Sequence, residues 1–388
     1  MRILIAGGGS GGHIHPALAV VSSLRERAPG VELGWIGGRR GLEGQLVPPT
    51  GIPLRRLLLR SLRSTDLSIH AVLDPLRLAL SVPQALALLA RHRPDAVFST
   101  GGYVAIPVLA AAAVLRVPSL VWEGNVVPGR STRLAGRWAS LVSVSFAATA
   151  PLFGPDCRVT GTPIRSLAGI EPAAARAGLG LPAEPPALPV LLLFGGSQAV
   201  RRFDAAVDEA LPRLVERIAV VHLTGQAGYA AALRRREALP DALRARYRPF
   251  ASLGVEMADA LVAADLIVGR AGSSTVAEAT AAGRPLIVVP YPHAAGHQRA
   301  NARILVEAGA GRIVADEDFD GAALLQAAGL LDDPAGLARM AGASRSLGRP
   351  GAAAANAEVL LALAERRTPP DAAAVERLAL GAGSARWP

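Results

Sequence analysis

The sequence predicts an α/β protein built from two doubly wound domains that face a central cleft. Three observations support this prediction. The 388 residues exceed one ordinary hydrophobic core and suit two domains. Short apolar runs alternate with helical patterns, which is typical of parallel sheets covered by helices. The opening strand and glycine turn, "LIAGGGSGGHIHP" at 4–16, is repeated in outline by "VLLLFGGSQAV" at 190–200.

Each half of the chain supplies five candidate strands. In the first half they lie at 2–6, 31–37, 96–100, 119–123 and 141–146. In the second half they lie at the start of 190–200 and at 218–225, 266–270, 285–290 and 311–316. Between the first two strands, Pro16 is expected to open a helix that Pro29 and Gly30 close.

The predicted domain boundaries follow from the repeat. A linker near 160–166 separates the halves, so we expect domains at 1–162 and 163–345. A helix at 346–366 is expected to pack back on the first domain. The tail at 367–388 has no sustained apolar pattern, so we expect it to be frayed.

The amino-acid composition excludes several classes of active site and of protein. All 41 basic residues are arginine, because the chain contains no lysine, and this excludes a P-loop lysine, a Schiff base and a lysine general base. The net charge of +10 suits anionic partners, although diffuse surface arginine explains it equally well. The single Cys157 excludes a disulfide framework and fits a reducing compartment. No run of about 18 apolar residues is present, so we expect a cytoplasmic protein without a membrane span.

The first glycine loop predicts a phosphate site. Gly7, Gly9 and Gly12 match GxGxxG between a strand and a helix, and so many glycines are costly unless a ligand approaches the backbone. Exposed N–H groups at a helix start bind phosphate or pyrophosphate. A site for NAD would need a carboxylate after the second strand, which ends instead in Arg39 and Arg40. An NADP-dependent oxidoreductase is therefore an alternative.

The second half contains a sharper signal, "GRAGSSTVAEATAAGRPLIVVP" at 269–290. Ser273, Ser274 and Thr275 fall at a predicted helix N-terminus, where the helix dipole stabilises a diphosphate. Glu278 follows one turn later and is expected to accept both ribose hydroxyls of a nucleotide. The alternative is that Glu278 only forms a capping box with Ser274.

Taken together, these features resemble the MurG family of GT-B glycosyltransferases, which have two Rossmann-like domains. The matching motifs are "GGGSGGH" (7–13), "STGGYVAIP" (99–107), "EGN" (123–125), "GTPIR" (161–165), "GGSQ" (195–198), "SSTVAE" (273–278) and "HQRANA" (297–302). The resemblance covers about residues 2–365. It implies transfer of N-acetylglucosamine from UDP-GlcNAc to the C4 hydroxyl of undecaprenyl-diphospho-MurNAc-pentapeptide in peptidoglycan synthesis. Another UDP-sugar transferase of this fold, acting on a small hydrophobic acceptor, is the nearest alternative.

The resemblance also implies roles on the acceptor side. Ser10, Gly11 and Gly12 would line the cleft beside the donor and the acceptor diphosphate. Tyr103 belongs to the set expected to contact substrate, and Asn125 would contact a sugar.

On the donor side, the resemblance assigns Arg165 and Ser197 to the UDP diphosphate. The backbone of Gly254 would contact uracil. The segment 273–278 would bind phosphate and ribose, and Gln298 would bind hydroxyls of the transferred GlcNAc.

The sequence departs from the family pattern at several of these motifs. Trp122 and Gly124 stand in a strip that usually reads "HEQN". Ala295 and Gly296 replace an acidic pair, and 251–261 differs from the usual "FIDDM" pattern. We expect a divergent enzyme of the same activity.

Two residues are candidates for the general base. His13 follows the glycine loop, and histidine titrates near neutral pH when unperturbed. The alternative is that His13 only caps the helix, in which case Glu123 is the other candidate base. No DxD motif ends a strand near either glycine loop, so we expect no metal and no cofactor. Arg165 and the helix start at Ser273 would stabilise the departing diphosphate.

A lipid-linked acceptor implies an anionic membrane surface, with the protein peripheral on the cytoplasmic face of the plasma membrane. The apolar stretch 69–93 is the candidate interfacial element, with Arg77, Arg91 and Arg93 facing lipid. The alternative is an ordinary buried helix pair. Nucleic acid is not an expected partner, because the chain lacks aromatic interleaving and a recognised motif.

Overall fold

The computed structural model describes residues 1–39, 41–59, 70–182, 188–195, 200–292, 294 and 296–381, with the side chains of 70–76 and 200 left out. The chain divides into two compact units. The first unit contains Met1–Ile164 together with Arg349–Pro388, and the second contains Arg165–Gly348.

The strands of the described residues are β1 (Arg2–Ala6), β2 (Glu32–Gly37), β3 (Leu54–Arg56), β4 (Ala96–Ser99), β5 (Ser119–Glu123), β6 (Leu141–Val144), β7 (Arg158–Val159), β8 (Val190–Phe194), β9 (Ala219–Leu223), β10 (Tyr247–Phe250), β11 (Leu266–Gly269), β12 (Leu286–Val288) and β13 (Gly311–Ile313). The helices are α1 (Gly11–Arg27), α2 (Glu43–Leu46), α3 (His70–His92), α4 (Ala105–Val114), α5 (Arg130–Ala135), α6 (Pro172–Gly178), α7 (Val200–Leu214), α8 (Gly225–Glu237), α9 (Asp241–Arg244), α10 (Met257–Ala263), α11 (Ser273–Ala281), α12 (His297–Glu307), α13 (Gly321–Ala328), α14 (Pro334–Leu347), α15 (Ala352–Ala364) and α16 (Ala372–Ala379). Short 3-10 helices lie at Pro48–Thr50, Ala147–Leu152 and Gly329–Asp332.

The first unit is built on a parallel sheet in the order β3-β2-β1-β4-β5-β6-β7. In its register, Ile3 of β1 pairs with Leu33 of β2 on one side and with Ala96 of β4 on the other. The strand order reverses between β1 and β4. In doubly wound sheets, the carboxyl ends of the strands at such a reversal open the crevice that binds ligands.

Helices cover both faces of this sheet, which explains why its interior strands are mostly apolar. On one face, Ile3 and Phe98 are buried in a cluster that includes residues of α1 and α15. On the other face, Leu4 and Val97 are buried in a cluster with residues of α3 and α4.

The second unit repeats this architecture with a parallel sheet in the order β10-β9-β8-β11-β12-β13. Its reversal point lies between β8 and β11. Leu193 and Val268 of these two strands belong to a buried cluster with Phe203 of α7. The predicted class, two doubly wound α/β domains with parallel sheets, is confirmed. No helix in the described parts of either unit is long and apolar enough to cross a membrane.

Three local expectations are wrong. Helix α1 begins at Gly11, so Pro16 lies inside it rather than opening it. Proline removes one backbone bond there, and the buried side chains of the helix outweigh that loss. The stretch 69–93 contains the single helix α3 rather than a helix pair. The tail expected to be frayed contains α16, which Asp371 caps by accepting a hydrogen bond from the Ala374 N–H at 2.7 Å.

Helix α16 is ordered because it has an apolar face. Val375 and Ala379 are one turn apart, and both are fully buried in the cluster that contains α15. The helix was not predicted because alanine dominates the segment and makes its apolar pattern weak. Residues 382–388 lie outside the described parts of the chain.

Candidate functional site

The glycine loop of the first unit joins β1 to α1 at the reversal point of the sheet. Ser10 is the N-cap residue of α1, and its side chain makes no capping hydrogen bond. Ser10 and Gly12 are exposed, and Gly11 is partly exposed. The N–H groups of the first helical turn have no acceptor within an α-helix. Ser10, Gly11 and Gly12 therefore present polar groups suited to an anion at the carboxyl edge of the sheet.

His13 lies in the first turn of α1 and contacts the loop after β4. Its Nδ1 lies 2.6 Å from the Thr100 carbonyl oxygen, so Nδ1 carries the proton and donates. Nε2 of the neutral ring is then a proton acceptor. A Cβ at Gly102 would lie 3.6 Å from Nε2, an ordinary contact distance, so Gly102 packs directly beside the ring. The helix-cap alternative for His13 is wrong, because Ser10 occupies the N-cap position.

Glu123, the other predicted base, ends β5 and is 3% exposed. One carboxylate oxygen accepts from the Asn125 backbone N–H at 2.9 Å and from its side-chain amide at 3.1 Å. The other accepts from the Gly129 N–H at 3.0 Å. Glu123 therefore organises the loop that carries Asn125, and its oxygens are already engaged by donors.

Trp122 shows what one departure from the family pattern does. Its side chain is buried, and its indole N–H donates to the Gly161 carbonyl at 3.0 Å. A large aromatic ring here therefore joins β5 to the end of the first unit rather than facing solvent.

Tyr103 lies in the same segment as Thr100, between β4 and α4, and is 9% exposed. A Cβ at Gly9 would lie 3.3 Å from its ring, and one at Gly38 would lie 2.6 Å from its hydroxyl oxygen. Burial, and then the negative charge of Glu43, raise the pKa of Tyr103 to about 12. The phenol therefore stays protonated beneath the glycine loop. Glu43 is a residue that the sequence analysis missed.

In the second unit, α11 begins directly after β11 at the reversal point. Gly272 is its N-cap residue, and Ser273, Ser274 and Thr275 form its first turn. The Ser274 hydroxyl is buried and has no hydrogen-bond partner among the described residues. The capping-box alternative for Glu278 is wrong, because no side chain caps this helix.

Glu278 instead forms an ion pair with Arg165. The Arg165 Nε lies 3.5 Å from the Glu278 Oε1, and the guanidinium also donates to the Gly254 carbonyl. The Gly254 N–H donates to Glu256 at 3.0 Å. Burial raises the pKa of Glu278, and Arg165 partly opposes that shift. Three residues predicted for the donor side, Arg165, Gly254 and Glu278, are therefore brought together.

Gln298 lies in the first turn of α12. Its Oε1 accepts from the Tyr291 backbone N–H at 2.8 Å, which leaves the amide NH₂ to donate elsewhere. Gly296, another departure from the family pattern, is the N-cap residue with φ 80°, a conformation that favours glycine. Asn301, which the sequence analysis did not single out, is fully buried and donates to the Ala271 carbonyl at 3.1 Å. It therefore ties α12 to the loop before α11.

Three of the residues named from sequence lie outside the described residues: Arg40, Ser197 and Ala295. The other predicted side chains form two groups, one at the carboxyl edge of each sheet. Within the described ranges there is no group of three His, Cys, Asp or Glu side chains that could hold a metal ion.

Comparison with protein-family models assigns both halves of the chain to one family. The N-terminal domain model of glycosyltransferase family 28 matches residues 3–144, and its C-terminal domain model matches residues 190–354. The chain belongs to glycosyltransferase family 28. The family 28 chain is thus a glycosyltransferase, and the NADP-dependent oxidoreductase alternative is wrong.

Relatives of this family 28 chain share a common name. A protein of Desulforudis audaxviator (strain MP104C) is 39% identical over 380 residues, which is 95% of this chain and 100% of that protein. One of Chlorobaculum parvum (strain DSM 263 / NCIMB 8327) is 38% identical over 94% of this chain and 100% of its own. Both are called "UDP-N-acetylglucosamine--N-acetylmuramyl-(pentapeptide) pyrophosphoryl-undecaprenol N-acetylglucosamine transferase". The predicted family is confirmed.

Solved structures agree with this assignment. The crystal structure of Acinetobacter baumannii MurG matches with a TM-score of 0.72 and 27% identity, over 93% of this chain and 99% of that one. CalG4, the calicheamicin glycosyltransferase, matches with a TM-score of 0.67 and 19% identity, over 95% and 99%. At 19% identity, the match to CalG4 shows a similar fold and nothing more.

Proposed function

We propose that the chain transfers N-acetylglucosamine from UDP-GlcNAc to the C4 hydroxyl of undecaprenyl-diphospho-MurNAc-pentapeptide. The relatives named for this reaction span nearly the whole chain and support the choice of substrates. The hydrogen bond from His13 Nδ1 to the Thr100 carbonyl carries the proposal, because it leaves a neutral imidazole nitrogen able to accept a proton beside the glycine loop.

The acceptor side of the mechanism uses the first unit. The acceptor diphosphate lies at the start of α1, where Ser10, Gly11 and Gly12 offer N–H and hydroxyl donors. His13 Nε2 takes the proton of the C4 hydroxyl while O4 attacks C1 of the sugar. The O4–C1 bond forms as the bond from C1 to the phosphate oxygen breaks, so the configuration at C1 inverts. Asn125 contacts a sugar from the loop that Glu123 holds.

The donor side uses the second unit. The N-terminus of α11, with Ser273, Ser274 and Thr275, stabilises the charge that develops on departing UDP. Glu278 accepts the ribose hydroxyls once it exchanges its contact with Arg165 for the ligand, and Arg165 then turns to the diphosphate. These cationic and dipolar groups take the place of a metal ion.

Gln298 and the loop at Gly254 complete the donor side. The Gln298 Oε1 is engaged by the Tyr291 N–H, so its NH₂ donates to a GlcNAc hydroxyl oxygen. Gly254 offers backbone groups to uracil, and Ser197 is assigned to the diphosphate by the family resemblance.

A direct assay tests this function. Purified protein is mixed with UDP-GlcNAc and the lipid acceptor, and UDP release and the disaccharide lipid are measured by mass spectrometry. We expect transfer to the natural acceptor, no transfer to its 4-deoxy analogue, and unchanged rates in EDTA. Transfer that favours a small hydrophobic acceptor would contradict the choice of acceptor. Activity lost in EDTA and restored by Mg²⁺ or Mn²⁺ would contradict the metal-free mechanism.

The proposal also includes an anionic membrane surface and a peripheral position on the cytoplasmic face of the plasma membrane. Leu80 on α3 is 54% exposed, as an interfacial helix requires. Arg91 and Arg93 at the end of this helix are exposed, whereas Arg77 is half-buried. The net charge of +10 favours anionic lipid.

Vesicle sedimentation tests the membrane proposal. We expect more protein to pellet with vesicles containing anionic phospholipid than with neutral ones, and less as salt is raised. Leu80→Glu should weaken this binding, while Leu233→Glu, at a leucine that is 37% exposed on α8, should not. Equal pelleting of the Leu80 variant and the unmodified protein would contradict the assignment of α3.

A further inference from the structure

Glu43 is a buried carboxylate at the start of α2, in the first unit. Its side chain is 1% exposed. One oxygen accepts from the Gly9 N–H at 2.9 Å and the other from the Gly38 N–H at 2.8 Å. These two glycines lie in the loops that follow β1 and β2. One carboxylate therefore joins the two loops by charge-assisted hydrogen bonds.

Three further glycines leave room for this carboxylate. A Cβ at Gly8 would lie 2.7 Å from a Glu43 oxygen, and a Cβ at Gly37 would lie 2.8 Å from its Cγ. A Cβ at Gly41 would overlap the second oxygen and would also come within 2.9 Å of the Gly9 nitrogen. Part of the glycine content of both loops is thus explained by Glu43 itself, without any ligand.

Leu42 and Glu43, which are adjacent in the chain, form hydrogen bonds with both backbone polar groups of Gly9. The Leu42 N–H donates to the Gly9 carbonyl at 3.1 Å, while Glu43 takes the Gly9 N–H. Gly9 has φ +94°, a conformation that side chains rarely adopt. The Gly9 N–H is therefore engaged inside the protein, and the next donors along the chain, from Ser10 onward, are the ones left to face a ligand.

We propose that Glu43 is a positioning residue for the lipid acceptor. Its carboxylate fixes the backbone of Gly9, and this sets the direction in which Ser10, Gly11 and Gly12 present their donors and where His13 stands. The inference rests on the proposed function, because it concerns binding of the acceptor diphosphate by that loop. It predicts that loss of the carboxylate impairs acceptor use and spares the donor site, whose residues belong to the second unit.

The variants Glu43→Gln and Gly41→Ala test the proposal. Glutamine keeps the size of the side chain but has one acceptor oxygen, so an amide N–H faces a backbone N–H. The Cβ added by Gly41→Ala would overlap the Glu43 carboxylate. We expect kcat/KM for the lipid acceptor to fall about 10-fold or more in both, with an unchanged dissociation constant for UDP-GlcNAc by calorimetry. Glu209→Gln is the matched control, because Glu209 accepts the Gly321 N–H at 2.9 Å in the second unit.

Hydrogen exchange gives a readout that does not depend on activity. In the unmodified protein, the Gly9 and Gly38 amides should exchange slowly, and Glu43→Gln should speed both. Fast exchange of these amides in the unmodified protein would overturn the proposal, even if no variant folds. An unchanged acceptor kcat/KM in Glu43→Gln would also overturn it, as would an equal loss of donor affinity. Absence of transfer by the unmodified protein would instead contradict the proposed function.

Discussion

The tautomer of the neutral His13 ring follows from one hydrogen bond. The carbonyl of Thr100 can only accept, so the ring must donate from Nδ1 and keep Nε2 unprotonated in its neutral form. A histidine held in this way has its tautomer and its orientation fixed together, as a general base requires. The adjacent glycines at 101 and 102, with φ of 81° and 73°, keep the loop close to the ring.

His13→Ala should therefore lower kcat by a factor of about 10² or more. UDP-GlcNAc affinity should stay the same, because the donor residues belong to the second unit. His15→Ala is the matched control, two residues along the same helix and exposed. Steady-state kinetics and calorimetry on both variants check this. A normal kcat in His13→Ala would remove His13 as the base and direct the search to Glu123.

In the proposed mechanism, Glu278 contributes to nucleotide binding at a cost in the stability of the folded protein. Burial raises its pKa, so the folded protein favours the protonated carboxyl more than the unfolded chain does. The stability that the group contributes is present below the ordinary glutamate pKa and is lost as pH rises through the raised value. Near neutral pH, Glu278→Gln should consequently melt at a higher temperature than the unmodified protein. This difference in melting temperature should disappear at about pH 4.

The same substitution should weaken UDP-GlcNAc binding. Losing a charged hydrogen-bond partner typically costs about 1.5–3 kcal/mol, so affinity should fall roughly 10- to 150-fold. Glu307→Gln, at an exposed carboxylate on α12, should change neither property. Calorimetry and thermal melts test both effects. Unchanged donor affinity would contradict the ribose assignment, and a lower melting temperature at neutral pH would contradict the effect of burial.

Helix ends show how the same backbone motif is built from different residues. After α12, Gly309 has φ 75°, and the Ala310 N–H bonds back to the Leu305 carbonyl at 2.8 Å. After α4, Arg116 has φ 54°, and the Val117 N–H bonds to the Ala112 carbonyl at 2.9 Å. Both are Schellman motifs, but only glycine adopts this conformation without strain. The arginine is therefore a local defect at an exposed site.

Arg116→Gly should stabilise the protein by about 1 kcal/mol, because relief of strain exceeds the added freedom of the unfolded chain. The reciprocal change, Gly309→Ala, should destabilise it by a similar amount. A Cβ at Gly309 meets no atom within 4 Å, so backbone strain alone accounts for the loss. Denaturant unfolding measures both changes. A less stable Arg116→Gly variant would show that the arginine side chain makes a contact worth more than the strain.

Sequence patterns predicted all the interior strands of both sheets, together with one edge strand, β13. Strands β1, β4 and β5 lie in the interior of the first sheet, and their apolar runs matched the observed bounds within a residue. Strands β3, β7 and β10 were not predicted. Each is a sheet edge of two to four residues and contains an arginine, since an edge strand faces solvent on one side.

The same contrast holds for the site. The glycine loop and the α11 motif were visible in the sequence because their residues are adjacent in the chain. Glu43 was not visible, because it bonds to Gly9 from 34 residues away and has no motif of its own. The pairing of Arg165 with Glu278 depends on the folded second unit in the same way.

At the scale of the whole molecule, each unit has a helix that begins at the reversal point of its own sheet. Helix α1 follows β1 in the first unit, and α11 follows β11 in the second. The two halves repeat one fold, but the glycine loop is followed by a histidine and α11 carries a carboxylate one turn in. In the proposed mechanism, this difference in polar residues, rather than any difference in the sheets, is the reason for placing proton removal in one unit and nucleotide binding in the other.

Hydrogen exchange with each substrate alone should reveal this division. UDP-GlcNAc should slow exchange of the first-turn amides at 273–275, since a bound diphosphate supplies the acceptors that the helix lacks. It should leave the amides of Gly11 and Gly12 unchanged, and the lipid acceptor should produce the opposite pattern. Glu278→Gln, at the same donor concentration, should lose most of the donor's protection because fewer molecules are occupied. Donor-induced slowing at 11–12 with none at 273–275 would reverse the assignment of substrates to units.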